Sequence, residues 1–228
     1  MNRDTVYLSS IPEEAREKVT ARYGKIGKKR AEYYVGKELV GIREFFITGE
    51  PEGEWVFRNG VRHGTHCRWY EPDKLLSCTP YENGLAHGTA YQWSRDGTLL
   101  GSYTMERGTG IDLWWEDWQD GSVNLAEVHY ERDGKLHGFE WWLHSDASLS
   151  QERHWQEGIS HGIEREWNFT GGLRRGYPRC YVHGERVTKR QYVKACTKDP
   201  ALPPFRLEDN SPQRVFPPEI AVRLRPKG

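Results

Sequence analysis

Histidines 63, 87, 137 and 161 each stand immediately before a glycine. Imidazole is the commonest protein ligand for zinc, so a recurring His-Gly pair raises the question of a metal centre. Spacing argues against one. If the pairs mark successive β-hairpins, equivalent residues lie two strands apart, roughly 10 Å. Zinc holds each nitrogen at ~2 Å, so one ion does not gather two of these rings. The expected role is structural, with the ring bonding backbone at a turn and packing beside the next aromatic. No metal and no cofactor is expected.

Carboxylates beside tryptophans suggest the paired acids of a sugar hydrolase, but an open sheet offers no cleft in which to desolvate such a pair. The sequence has no G-x-S-x-G, no P-loop and no H-E-x-x-H, so no catalytic residue is expected and the protein reads as a non-enzyme. Binding is the better lead. Asp112, Trp114, Glu116, Glu140, Trp142, Glu164 and Glu166 fall on the polar side of successive strands. Trp114 and Trp142 should lie near one another on adjacent repeats, ringed by those acids. Exposed aromatics among charges make contact surfaces. Equally, such a pair stacks across strands or lies beneath a terminal helix or the tail.

The elements that would position these residues repeat. Phe57-Arg58-Asn59-Gly60-Val61-Arg62-His63-Gly64 returns as Tyr81 to Gly88 and as Trp155 to Gly162, with looser copies at Tyr130 to Gly138 and Met105 to Gly110. The leading glycines are 36, 60, 84, 108, 134, 158 and 184, at spacings of 24, 24, 24, 26, 24 and 26. A period this regular is a repeat array. Between the glycine turns lie alternating runs broken by a second turn, such as Ser94-Arg95-Asp96-Gly97 or Gln119-Asp120-Gly121. Each unit is therefore one hairpin, with Asp-Gly expected to place both central residues at positive φ. The array predicts an all-β fold of about seven antiparallel hairpins in a single elongated layer, capped by short helices. Thr65-Cys67-Trp69, Thr89-Tyr91-Trp93, Ile111-Leu113-Trp115, Phe139-Trp141-Leu143 and Ile163-Arg165-Trp167 form the expected packed side, with Phe46 at the same place in the first unit.

The Y-x-x-G-x-x-x-G-x-x-x-x-W unit resembles the MORN repeat. The histidine before the second glycine and the Asp-Gly turn are similar to the MORN-variant repeat of bacterial YwqK-type antitoxins. The resemblance spans roughly Tyr33 to Arg186. The first unit departs from it, with Leu39-Val40-Gly41 lacking the histidine, and the unit at Met105 is shortened. The likeness implies a toxin or effector as target. MORN arrays are also linked to membrane attachment and to multi-protein assembly, which gives the alternative of a scaffold or membrane-associated protein.

Three regions follow: an N-terminal cap at 1–30, the array at 31–187, and a capping helix with a Pro-rich basic tail at 188–228. Ser10 with Glu13 matches a capping box and predicts a helix from Ile11 to about Tyr23, followed by a basic connector. Thr188 with Gln191 predicts another helix over 188–198. The prolines beyond 200 predict an extended or disordered tail. The chain is neutral, with 33 basic and 33 acidic residues. Residues 106–166 carry 14 acidic and 5 basic side chains, a balance of −9, whereas 173–228 carry 13 basic and 5 acidic, a balance of +8. A protein partner with a basic surface is therefore expected, without direct nucleic-acid binding, and with lipid the weaker alternative. No apolar run is long enough to span a bilayer and no apolar leader begins the chain. Cysteines 67, 78, 180 and 196 show no C-x-x-C pairing and read as free thiols of a cytoplasmic protein.

Overall fold

Two consecutive residues at positive φ give a type I′ turn, whose twist matches that of the strands it joins. Asn59-Gly60, Asn83-Gly84, Arg107-Gly108, Asp133-Gly134, Glu157-Gly158 and His183-Gly184 all adopt it. The leading glycine of each of these repeats is thus the second turn residue. The computed structural model describes residues 9–117 and 123–224. The Gln119-Asp120-Gly121 turn and Pro226 lie outside them. The chain divides into two units, 1–108 and 109–228, each an antiparallel sheet of sequential hairpins.

The first unit comprises β1 (Arg16–Tyr23), β2 (Gly27–Val35), β3 (Glu38–Phe45), β4 (Pro51–Arg58), β5 (Val61–Arg62), β6 (Gly64–Glu71), β7 (Lys74–Glu82), β8 (Leu85–Ala86), β9 (Gly88–Trp93) and β10 (Leu99–Glu106). Each strand pairs antiparallel with the next, β5 and β6 sharing one partner strand, as do β8 and β9. The second unit runs β11 (Thr109–Asp117), β12 (Val123–Arg132), β13 (Lys135–Leu143), β14 (Leu149–Gln156), β15 (Ile159–Ser160), β16 (Gly162–Glu166), β17 (Arg179–Val182) and β18 (Glu185–Val187), then α1 (Lys189–Cys196) and α2 (Pro218–Ala221). The array reading holds: the fold is all-β.

The expected packed side is the buried one. Cys67, Trp69, Leu113, Trp115, Trp141, Leu143, Ile163, Arg165 and Trp167 are all buried. Two details differ. A register shift between Glu44 and Phe45 puts Phe45, not Phe46, in the core. In β9 the buried residues are Ala90 and Gln92, while Tyr91 and Trp93 stack on one another half-buried. The Asp-Gly turn also differs. Only Gly97 takes positive φ, because Asp96 caps the Ser94 hydroxyl and the Thr98 N–H instead of entering the left-handed region.

The N-terminal helix is absent. Residues 16–23 alternate Val19, Ala21 and Tyr23 with the exposed polar residues Lys18, Thr20 and Arg22, and the segment pairs with β2 as a strand. The Ser10–Glu13 match starts no helix because the serines are engaged elsewhere. Ser9 Oγ donates to Glu54 (2.9 Å) and Ser10 N–H also reaches that carboxylate. Glu54 is fully buried, held by Arg43 Nε at 2.6 Å. Ile11 then fits over Gly41, where a β-carbon would lie 2.4 Å from the isoleucine side chain. The basic run at Lys25 to Arg30 closes the first hairpin rather than connecting domains.

The C-terminal helix forms as expected, with the full Thr188–Gln191 capping box. Tyr192 of α1 packs with Ile163, Cys180 and Leu202. The tail, however, is ordered over the packed side of the second unit. Leu202 and Ile220 are buried, and Phe216 meets Trp141 edge-on at 5.3 Å. Its anchor is Glu152, 2 % exposed. That carboxylate accepts from Trp141 Nε1, from Arg165, and from Arg214 Nε and NH2 at 3.1 and 3.0 Å. Proline's missing donors do not matter here, since the tail docks through side chains and through accepting carbonyls such as Pro212 O, which takes the Leu149 N–H at 2.9 Å. The thiol expectation also needs correction. Cys67 and Cys78 face each other across β6 and β7 and are joined as a disulfide, leaving Cys180 and Cys196 free.

A buried carboxylate that loses one charged donor is destabilised by about 1.5–3 kcal/mol. Arg214→Ala should therefore lower the urea midpoint by that equivalent and speed proteolysis between residues 200 and 217. A change within about 0.5 kcal/mol, the range of ordinary surface substitutions, would remove the anchor role.

Candidate functional site: the charged face of the second unit

On the side away from the tail, strand register brings the expected residues into two rows. One row runs Trp114, Glu127, Trp142, Gln151, Glu166 across β11, β12, β13, β14 and β16. The next runs Asp112, His129, Glu140, Arg153, Glu164, Arg179 across β11 to β14, β16 and β17. The second row alternates acid and base. His129 Nδ1 lies 2.9 Å from Glu140 Oε1, and its Nε2 2.9 Å from Glu127 Oε2. Arg153 Nε reaches Glu164 at 3.4 Å, and Tyr181 donates to Glu164 at 3.1 Å. Arg174 holds Glu166 at 2.8 Å.

The structure thus brings Trp114 and Trp142 into one row, but with Glu127 between them rather than in a stack. Trp142 is half-buried. Arg153 lies over its ring at 4.9 Å, and His129 meets it edge-on at 5.7 Å. Glu140, expected as a contact residue, is buried, with its other oxygen accepting from Trp155 Nε1 at 2.8 Å. It positions the row rather than meeting a partner. Glu116 is exposed. The tail's contacts with Tyr130, Trp141, Glu152 and Trp167 all lie on the packed side, so among the described residues it leaves this face open. His129, Arg153 and Glu127 escaped the sequence reading because only register reveals which charge sits opposite which.

The repeated histidines have a different task. His87 Nδ1 accepts the N–H of Arg107 at 3.2 Å, His137 Nδ1 that of Glu157 at 3.5 Å, and His161 Nδ1 that of His183 at 3.1 Å. Each donor is the first positive-φ residue of the next turn. The neighbouring glycine N–H bonds the preceding repeat as well: Gly84 to Arg62 O, Gly108 to Ala86 O, Gly158 to Leu136 O, Gly184 to Ser160 O, at 2.7–2.8 Å. Units that lack the histidine substitute another acceptor. Glu38 Oε1 takes the Asn59 N–H at 2.7 Å, and Thr109 Oγ1 the Asp133 N–H at 3.1 Å. At His63 the Nδ1 is buried without a hydrogen bond.

His161, His183 and Asp199 do converge, with ligand atoms within 4.8 Å of one another. Their hydrogen bonding does not suit a metal. His161 Nδ1 already accepts a backbone N–H, so a neutral ring carries its proton on Nε2, which faces Asp199 Oδ2 at 3.2 Å. Burial holds the ring below its ordinary pKa, against the pull of Asp199, and so keeps it neutral. A metal-binding histidine keeps one ring lone pair free and donates its other ring N–H, whereas the lone pair of His161 is already taken by the His183 N–H. The trio ties the end of α1 to the last turn.

Two outcomes test this geometry. Thr109→Val removes only the turn acceptor and should cost about 1 kcal/mol, although Thr109 is exposed; a loss inside about 0.5 kcal/mol would make it ordinary surface. His129 supplies the second. Burial opposes its charge, but Glu127 and Glu140 outweigh burial and raise its pKa to about 9. The unfolded ring titrates near ~6.5. The stabilisation is therefore complete below about pH 6.5 and is lost as pH rises through 9. Urea midpoints should fall across that window, and His129→Gln should flatten the fall. An unchanged slope in the variant would place the proton elsewhere.

Neither a scan against protein-family models nor a search of curated proteins returns a match for this chain.

Proposed function

We propose that this chain is a non-catalytic protein-binding repeat protein. In this reading it is an inhibitor of the antitoxin kind that sequesters a partner with a basic surface through the Trp142 face. One observation carries the reading: Trp142 is packed between Arg153 and His129 on an open strand face bordered by Glu127, Glu164 and Glu166. A pre-positioned, half-exposed tryptophan loses little freedom on association, which is what makes such residues dominate interfaces. The concavity beside it, lined by Arg153, Glu164 and Tyr181, is about 150 Å³. Small-molecule sites run from roughly 300 Å³ upward, which favours a protein partner over a small substrate. The acids here are largely matched by row neighbours, so complementary charge would set orientation and association rate more than affinity.

The test is capture of partners from the host lysate at low and high salt, followed by titration of the captured protein against variants. Trp142→Ala should weaken the complex by about 30-fold, the measure of a hot spot, and Glu116→Lys should slow association with little change in stability. Charge reversal at Glu140 is the wrong probe, because that carboxylate is buried in the row. Equal binding by Trp142→Ala would reject the face. Recovery only with membranes would favour the scaffold alternative, for which the basic first hairpin, with Ile26 75 % exposed at its tip, is the natural seat.

A further inference from the structure

A second cavity lies at the end of the second unit, where β17, β18 and the first turn of α1 meet the tail at residues 205–210. Its volume is about 620 Å³, within the roughly 300–1,000 Å³ range of small-molecule sites. Cys180, Val187 and Phe205 give it an apolar side, and these residues belong to the core beneath α1. Leu207 at the rim is 68 % exposed, an apolar side chain with little to cover it.

The charge is one-sided. Arg179, Arg186 and Lys189 line the cavity, and among the described residues no acidic one does. Among the described residues, Arg186 and Lys189 make no ion pair. Arg179 has only a long contact to Glu164, at 3.7 Å, and stacks on Tyr177 at 4.1 Å. Its Nε is buried without a hydrogen-bond partner. Lys189 Nζ stands 4.0 Å from the centre of the Phe205 ring. Three cations beside an apolar wall, with that long contact to Glu164 as their single ion pair among the described residues, can take an anion. A guanidinium presents paired donors that match phosphate or carboxylate oxygens, and an ammonium adds a point charge.

We propose that this cavity binds a small anion with an apolar body, an aromatic phosphate or carboxylate. The head group would lie among Arg179, Arg186 and Lys189, and the ring against Phe205 and Leu207. Arg179 is shared with the far end of the charged row, but Arg186 and Lys189 lie outside it and Trp142 takes no part in the site.

Titration of the ¹⁵N-labelled full chain with phenyl phosphate, benzoate and benzyl alcohol tests it. Phenyl phosphate should bind saturably, more tightly than benzoate, and benzyl alcohol should not saturate. The shifted amides should centre on residues 179–191 and 205–210. The double variant Arg186→Glu, Lys189→Glu should weaken phenyl phosphate about a hundredfold or more, the loss expected for two charge-assisted contacts. Its fold should survive, since both residues lie at the surface end of the unit and a glutamate in the first turn of α1 suits the helix dipole; the urea midpoint checks this. Equal binding of the neutral alcohol, undiminished binding in the variant, or the absence of saturable shifts at those amides would each overturn the assignment.

Discussion

A turn residue with a β-carbon at positive φ costs about 1–2 kcal/mol, yet Arg107, Asp133, Glu157 and His183 all take that conformation. Asp133 is held by its bond to Thr109 Oγ1, and the other three by a pair of adjacent backbone N–H groups, both pointing back at the preceding repeat. One meets a carbonyl and the other a side-chain acceptor. Each bond contributes about 0.5–1.5 kcal/mol, so the pair roughly offsets the strain. One or both of these bonds fix each hairpin against its predecessor, which is how a period in sequence becomes a period in space. The acceptor is usually histidine, but Glu38 and Thr109 serve equally well. The requirement is a lone pair at that place, not imidazole chemistry.

The ends of such an array would expose unpacked surface, and each is closed by a buried glutamate. Glu54 in the first unit and Glu152 in the second both stand six residues before a leading glycine. Each is paired with an arginine on the neighbouring strand, Arg43 or Arg165. Each also receives a terminal segment: Ser9 and Ser10 at one, Arg214 of the tail at the other. A buried carboxylate is tolerable only with its oxygens satisfied, so the same charge that would destabilise a bare strand selects the segment that covers it.

Electrostatics on the other face follow from the same ladder. The sequence balance of −9 across residues 106–166 suggests a bare acidic field. Register instead interleaves His129, Arg153 and Arg179 among Asp112, Glu140 and Glu164, leaving a patterned surface in which a fixed tryptophan is the most distinctive feature. The positive balance of residues 173–228 is partly consumed on the packed side by Glu152 and partly gathered around the cavity beside α1.

The sequence by itself determined the hairpin, its period and the identity of the packed side, because glycine placement and period-2 alternation act locally. Gly60 and Gly84 can be recognised without knowing what they touch, and the Thr188–Gln191 box caps α1 within four residues. Only the tertiary structure decided what depends on distant partners. Ser10 and Glu13 looked like a helix start, but Glu54, 44 residues on, claims the Ser10 N–H. The tail looked unpaired, but Arg214 finds Glu152 across 62 residues. Cys67 and Cys78 looked free until register set them face to face. Of the candidate face, the residues Trp114, Trp142 and their acids were legible, whereas His129 and Arg153 were not. Which charges neutralise which is set by cross-strand register, and one strand's sequence does not specify the register of its neighbours.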